Sequence, residues 1–347
     1  MANRKKKSQA ETVTMKSIAE EAGVTLTTVS RILNNKGDKY ADATKKNILE
    51  IAERLKYRPN ALVLGMQTGR TNTAGVMMPS SSTFYSQVIS GIHDVFMKKE
   101  TIMLLSWNDR SVTQQEEVIE RQIIHRMVDR RVEGIILRPS SEKFERSYFE
   151  EIWERNIPLI LIDRDVPTIS THFVGTDGYR GGEQVAEYLI SLGHQNMLFA
   201  GSGSIVSSSI KREAGFRKVL SESLNAYCQR TLDSTQNSYQ TDLLECMNQR
   251  SHPTAIFCYN DDLAMGTAKI LLDAGFSIPG DVSIVGFGNL PYTDPVMPLT
   301  TVEQYPEKIG AEAARLYFSS IRDQTPEIKR RLLPTDLVVR GSTRSII

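Results

Sequence analysis

The sequence predicts an α/β protein: an N-terminal three-helix head with a helix-turn-helix, a hinge helix or linker, then two doubly wound parallel-sheet lobes. Three observations lead there. Residues 14–33 pattern as two short amphipathic helices around a tight turn. From Thr73 onward short apolar strands alternate with amphipathic helices, and they do so in two successive sets. Such alternation is the pattern of parallel sheets covered by helices. A chain of 347 residues has room for two or three domains, and 40% hydrophobic residues supply a large core.

In the head, Ile18, Ala19 and Ala22 fall at i, i+1 and i+4, on one face of the first helix. Gly23 makes the turn, and Thr25 is placed to cap the second helix by accepting an orphan backbone N–H. Val29, Ile32 and Leu33 have the i, i+3, i+4 spacing of a buried face. Leu26, Thr27, Thr28 and Arg31 are left at the helix start or on its open side. They suit a DNA groove, because arginine pairs bidentately with guanine O6 and N7 and apolar groups touch thymine methyls. A short helical hairpin that caps a larger domain would have the same spacing. Asp42 is expected to cap a third helix over 43–56, in which Ile48, Ile51, Ala52 and Leu55 form a core stripe.

Charge is divided between the two parts. Residues 1–70 hold 14 Lys/Arg and 7 Asp/Glu, whereas residues 71–347 hold 28 and 34. A basic head on an acidic body is the asymmetry expected of a head that meets a polyanion. Residues 1–14, with Arg4 to Lys7, read as a disordered basic arm or an inert tail. Cys228, Cys246 and Cys258 have no paired spacing and fit reduced thiols in a cytoplasmic protein. No apolar run reaches the ~18 residues of a membrane span, and none follows the basic start as a signal peptide requires. No partner membrane is expected.

Residues 59–71 form the hinge or linker. Pro59 suits a helix start, and residues 60–66 could make two turns, marginal without partners and weakened by Gly65. Candidate strands of the core are 74–78, 102–106, 134–137 and 159–162, then a second set at 172–175, 197–200, 255–258 and 283–286, with a last strand at 336–339. Amphipathic helices lie between them, for example 85–98, 115–130, 181–192, 212–223 and 262–274. Ligands of such sheets bind at the carboxyl ends of the strands, so a cleft between the lobes is the expected site.

These residues carry a family resemblance. Ile18-Ala-Glu-Glu-Ala-Gly-Val24, Thr28-Val-Ser-Arg31, Leu55-Lys-Tyr-Arg-Pro-Asn-Ala61, Gly193-His194, Ala214-Gly-Phe216, Pro253-Thr-Ala-Ile-Phe257, Asn260-Asp261 and Asp281-Val-Ser-Ile-Val-Gly-Phe287 occur in order. Over residues 15 to about 343 the chain resembles a transcription regulator of the LacI/GalR family. The resemblance implies a core of periplasmic-binding-protein type and a repressor acting as a homodimer on a pseudo-palindromic double-stranded DNA operator. Domains would run 15–58 (head), 59–71 (hinge), 72–176 with 300–329 (first lobe), and 177–299 with 330–343 (second lobe).

By the same resemblance Leu26, Thr27 and Arg31 read bases, Thr28 and Ser30 lie near phosphates, and Asn60 and Met66 meet DNA in the hinge. Met66 stands where the family usually has a leucine wedge that unstacks a base step in the minor groove. Phe84, Tyr85, Asp163, Arg212 and Asp261 match effector contacts, and Trp107 is a further candidate lining residue. Carboxylates and arginine can each engage two sugar hydroxyls, and aromatic rings stack on a sugar face. Bland readings stand beside these: Asp261 as a helix cap, Arg212 in a surface ion pair, the aromatics as core. Gly288 and Gly178 replace the family's usual Asp and Asn near the cleft, which points away from an ordinary hexose. The expected effector is a small sugar-like molecule; a non-sugar effector, a corepressor or an activating role are the alternatives.

Two other function classes compete. A solute-binding protein would use the same core but needs no basic head. An enzyme finds little support: Gly201-Ser-Gly203 lacks the third glycine of a dinucleotide fingerprint, since position 206 is Val. The five histidines have no metal-ligand spacing. No catalytic residue, cofactor or metal is expected.

Overall fold

The computed structural model describes residues 13–34, 38–58, 65, 69–79, 83–107, 114–144, 146–203, 206–291, 293, 297–322 and 327–347. The chain divides into two compact units between Thr71 and Asn72. Residues 1–12, 59–64 and 66–68 lie outside the described residues, and with them the expectations for the basic arm, Asn60 and Met66.

The head consists of α1 (Met15–Ala22), α2 (Leu26–Leu33) and α3 (Asp42–Arg54). A reciprocal cap starts α1. The Thr14 hydroxyl accepts the Ser17 N–H at 3.4 Å, and the Ser17 hydroxyl accepts the Thr14 N–H at 3.3 Å. Gly23 ends the helix at φ 66°, a left-handed conformation that costs glycine little. Ile18, Val29 and Ile48 are fully buried, with Ile32, Ile51 and Ala52 packed on them, so the three apolar stripes meet as expected. Asp42 is not the cap of α3. Ala41 holds that position without a side-chain bond. One place further in, the Asp42 carboxylate accepts from Lys45 Nζ at 3.1 Å and faces the positive end of the helix.

The second unit begins with β1 (Thr73–Met78), α4 (Thr83–Met97), β2 (Ile102–Trp107), α5 (Gln114–Asp129), β3 (Ile135–Leu137), a 3-10 turn at Arg146–Phe149, α6 (Glu150–Glu154), β4 (Leu159–Ile162) and β5 (His172–Thr176). It continues with α7 (Gly178–Ser191), β6 (Asn196–Gly201), α8 (Ser207–Glu222), β7 (Tyr227–Asp233), α9 (Tyr239–Met247), β8 (Ala255–Cys258), α10 (Asp261–Asp273) and β9 (Ser283–Val285). β10 (Thr301–Glu303), α11 (Pro306–Arg322), β11 (Arg330–Leu333) and β12 (Asp336–Val338) complete it. A parallel sheet in the order β11-β5-β4-β3-β1-β2 forms the first lobe, and a parallel sheet β7-β6-β8-β9 forms the second. Strands β3, β4, β6 and β8 are buried along their whole length, as strands covered by helices on both faces must be.

β5 lies in the second set of strands by sequence position and pairs with β4 in the first sheet, inside the 72–176 span expected of the first lobe. Two lobe assignments are revised. β10 pairs antiparallel with β12, and its Val302 packs in the second lobe's core beside Val185, so residues 301–303 belong there and not with the first lobe. β11 pairs with β5, which puts residues 330–333 in the first lobe and not the second. Both misplaced strands are short segments of the chain's return between lobes, where composition does not say which sheet has the open edge.

Helices cross at glycines in both lobes. A Cβ on Gly91 would stand 2.0 Å from the Glu307 carbonyl, and one on Gly310 would stand 1.9 Å from that of Val88, so α4 and α11 touch backbone to backbone. In the second lobe a Cβ on Gly182 would stand 2.1 Å from the Arg212 carbonyl, and one on Gly215 would stand 1.9 Å from that of Tyr179. The crossing of α7 and α8 thereby sets the height of Arg212.

His172 ties β5 to α11. Its Nδ1 accepts the Lys329 N–H at 3.1 Å, so its proton sits on Nε2, 2.9 Å from the Ser320 hydroxyl oxygen, whose own proton goes to the Leu316 carbonyl. Burial, then the nearby Lys329 charge, lowers its pKa from the ordinary 6.5. The unfolded chain therefore binds protons first as pH falls. The stability the neutral ring contributes is complete above about 6.5 and is lost as pH falls from there through the depressed folded value. Thermal melts between pH 7.5 and 5 should show the core losing stability below about 6.5, and His172→Gln should flatten that slope.

Candidate functional site

The head and the core each present a site. On α2, Thr25 caps the helix by accepting the Thr28 N–H at 3.3 Å, and the two threonine hydroxyls are 3.0 Å apart. With Val29 and Ile32 buried, the opposite face holds Leu26, Thr27 and Arg31, all exposed, flanked by half-buried Thr28 and Ser30. Leu26 is 52% exposed, a large apolar side chain turned to solvent at a helix start. Asn34 Nδ2 lies 3.5 Å from the Ser30 hydroxyl. A rigid helix thus offers one apolar, one hydroxyl and one guanidinium group on a single face, the chemistry that major-groove base edges accept. The helical-hairpin reading gives no reason for that face to stay uncovered.

In the core a cavity of about 200 Å³ opens between the lobes. Every wall comes from a strand's carboxyl end or the loop or helix that follows it, as doubly wound sheets require. From the first lobe, Phe84 and Tyr85 come from the start of α4, Arg138 follows β3, and Asp163 and Arg164 follow β4. Asp163 stands at φ 63°, in the left-handed region, directly after the end of β4. It accepts the Tyr85 O–H at 2.6 Å, and Arg138 Nε donates to the Tyr85 oxygen at 3.1 Å. Burial raises the Tyr85 pKa, so the phenol holds its proton for Asp163.

The second lobe contributes Arg212 from α8, Tyr259 and Asp262 around the start of α10, Phe287 and Gly288 after β9, and Gln304 after β10. Arg212 is 5% exposed; it donates to the Tyr259 carbonyl and to Gln304 Oε1 and lies 3.8 Å from the centre of the Phe287 ring. The Phe287 ring fits because Gly181 carries no Cβ beneath it. Burial lowers the Arg212 pKa from its ordinary value. Glu142 of the first lobe reaches the start of α8, accepting the Ser207 N–H at 3.0 Å and the Ser207 hydroxyl at 2.8 Å. Val206, at the N-cap of α8, makes no side-chain cap bond, so a carboxylate from the opposite lobe does that work.

Four of the six residues expected around an effector thus line one cavity: Phe84, Tyr85, Asp163 and Arg212. Asp261 and Trp107 do not. Asp261 is fully buried behind the wall, accepting the Leu290 N–H at 2.8 Å and the Thr301 hydroxyl at 2.5 Å. Nor is it the helix cap, since the Asn260 side chain fills that place. Trp107 ends the edge strand β2, pairs in register with Met78 and is 44% exposed. Gly178 and Gly288 both border the site, and Gly288 at φ 151° brings its backbone within Cβ reach of Asp261. Sequence reasoning missed Arg138 and Arg164. The signal was present: each lies within two residues of the end of a predicted strand.

A capped helix with an open DNA-sized face and a two-lobed core around a polar cavity define a class: a nucleic-acid-binding regulator with a small-molecule site. Residues 14–60 match the bacterial regulatory proteins of the lacI family, and residues 186–343 match a periplasmic binding protein-like domain. The HTH-type transcriptional regulator DegA of Bacillus subtilis (strain 168) is 31% identical over 336 residues, 95% of this chain and 98% of that protein. A lac repressor dimer bound to operator and the anti-inducer ONPF superposes with a TM-score of 0.81 at 22% identity, over 96% of this chain and 100% of that one. A LacI family regulator from Enterococcus faecium with bound ribose gives a TM-score of 0.68 at 26% identity, over 79% and 100%. The chain belongs to the LacI family: it is a DNA-binding transcriptional regulator and not an enzyme. Among the described residues no helix is long and apolar enough to cross a membrane.

Proposed function

We propose that the protein is a cytoplasmic repressor that binds a pseudo-palindromic operator as a homodimer and is controlled by a small, sugar-like effector in the inter-lobe cavity. Leu26, Thr27 and Arg31 read bases, Thr28 and Ser30 approach phosphates, and Asn60 and Met66 engage DNA from the hinge. Phe84, Tyr85, Asp163 and Arg212 hold the effector. The observation that carries this reading is the convergence of those four side chains, from both lobes, on one cavity. The operator-bound lac repressor dimer and the ribose-bound E. faecium regulator support it by analogy. The cavity is smaller than the ~300–1,000 Å³ of drug-sized sites, which suits a single sugar ring.

The coupling follows from the clasp. Glu142 bridges the lobes beside the cavity, so a ligand that changes the fit between lobes acts on the same contact. Allosteric couplings run to about 1–3 kcal/mol, or about 5–150-fold in operator affinity.

The DNA reading is tested with an operator selected from random-sequence duplexes by the purified protein. Arg31→Ala should weaken that operator by about 1–3 kcal/mol, the worth of a bidentate base pairing, and relax the preference at one position of each half-site. Met66→Ala should weaken the operator far more than unrelated DNA. Fluorescence anisotropy on both duplexes decides the matter, and equal losses on the two would remove the base-reading and wedge roles.

A further inference from the structure

The cavity walls are rich in donors and poor in free acceptors. Three guanidinium groups face it, from Arg138, Arg164 and Arg212, against the carboxylates of Asp163 and Asp262. Asp163 already accepts the Tyr85 O–H at 2.6 Å and has Arg138 Nε at 4.0 Å. Gln304 Oε1 accepts twice, from Arg212 at 3.0 Å and from the Thr176 hydroxyl at 3.2 Å. The Tyr259 carbonyl is taken by Arg212.

Arg164 and Arg212 differ from Arg138 in what answers their charge. Among the described residues neither meets a carboxylate within ion-pair distance; Arg164 donates to the Ser140 carbonyl, and Arg212 to the Tyr259 carbonyl and Gln304. The Nε of each is buried and has no hydrogen-bond partner. Arg138 repels Arg164, while Asp163 and Glu142 attract it more weakly, and Lys211 stands in a small annex that shares Arg212 and Asp163 with the main cavity. The start of α8, at Ser207 and Ser208, borders the same space, its Ser207 N–H already taken by Glu142. A guanidinium with no carboxylate at ion-pair distance and an unpartnered Nε has donors to spare, and a charged oxygen group brought by a ligand would engage them on binding. A neutral sugar needs acceptors from the wall as often as donors, and here the acceptors are largely engaged.

We infer that the effector is an anionic sugar derivative, a sugar acid or a sugar phosphate, whose charged group is received by Arg164 and Arg212. The inference rests on the reading of the cavity as the effector site. Fork-shaped guanidinium groups suit carboxylate and phosphoryl oxygens equally, so the two sources are separated by experiment.

Isothermal titration of the full chain with D-glucuronate, D-galacturonate, D-glucose 6-phosphate, D-glucose and D-galactose tests this. At least one acid should bind ten times or more tightly than the neutral sugar of the same ring, and the uronate and phosphate arms tell which group is taken. Arg164→Gln should collapse that preference, and Arg164→Lys, which keeps the charge, should retain part of it. A neutral sugar that binds as tightly as its acid, or an acid preference indifferent to Arg164→Gln in a variant with a normal melt, overturns the inference. Neutral binding that still alters operator affinity leaves the effector-site reading in place, whereas binding of none of the five counts against both.

Discussion

Asp261→Ala is expected to destabilise the two-lobed core by about 3 kcal/mol and to weaken ligand binding in the cavity at least tenfold. The carboxylate is fully buried and holds two donors, the Leu290 N–H and the Thr301 hydroxyl. Truncation strands both donors in the interior, at about 1–3 kcal/mol each, and leaves a void. Part of that loss is offset, because burial raises the Asp261 pKa and the ionised carboxylate is itself held at a cost. The functional loss follows from position. Asp261 anchors the loop after β9, and that loop supplies the Phe287 ring under Arg212 and the Leu290 edge of the cavity. Urea unfolding measures the first effect and titration of whichever sugar derivative binds the native chain measures the second. A loss below about 1 kcal/mol would show that the loop holds itself without Asp261.

Gly182→Ala is expected to cost about 3 kcal/mol or more, at the upper end of overpacking penalties. The added methyl would meet the Arg212 carbonyl at 2.1 Å and the Phe216 nitrogen at 2.9 Å, both backbone atoms that cannot swing aside. Relief requires α8 to rise off α7, which carries Arg212 away from Gln304 and the Tyr259 carbonyl. Stability and ligand affinity should therefore fall together. Gly266→Ala provides the contrast: it lies within α10 with nothing within 4 Å of the added methyl, so helix propensity alone acts and a gain of about 0.5–1 kcal/mol is expected. Calorimetric melts of the two variants should move in opposite directions. A Gly182→Ala protein that melts with the native chain would mean the crossing is looser than its backbone contacts require.

Much of this architecture was legible in the residues. The apolar stripes of the head, the turn at Gly23 and the cap at Thr25 are local features, and local chemistry suffices to place them. The buried strands β3, β4, β6 and β8 announce themselves as short apolar runs. Besides the short β10, what escaped was edge material. β7 reads Tyr-Cys-Gln-Arg-Thr-Leu-Asp and β11 reads Arg-Arg-Leu-Leu; each lies at a sheet edge, β7 largely half-buried and β11 mostly exposed, so neither has the apolar pattern of a buried strand. Charged edges of this kind also discourage pairing with other chains.

The cavity was legible in part for a similar reason. Arg212, Asp163, Phe84 and Tyr85 could be placed by resemblance, but Arg138 and Arg164 enter through loop geometry, including the left-handed turn at Asp163. Asp261 illustrates the opposite case. Its sequence neighbourhood suggests a ligand contact or a cap, and only the tertiary pairing with Leu290 and Thr301 shows a carboxylate that shapes the wall from behind. Spacing along the chain cannot distinguish a side chain that faces the cavity from one that supports it.

Occupancy of the inter-lobe cavity is expected to govern binding of DNA by the head. The decisive measurement is operator affinity by anisotropy with and without a saturating sugar derivative found by thermal shift, with Arg212→Met as the control. A change of about 5–150-fold is predicted, in either direction, and Arg212→Met should abolish it. An operator affinity that stays within twofold while the ligand occupies the cavity would contradict the claim.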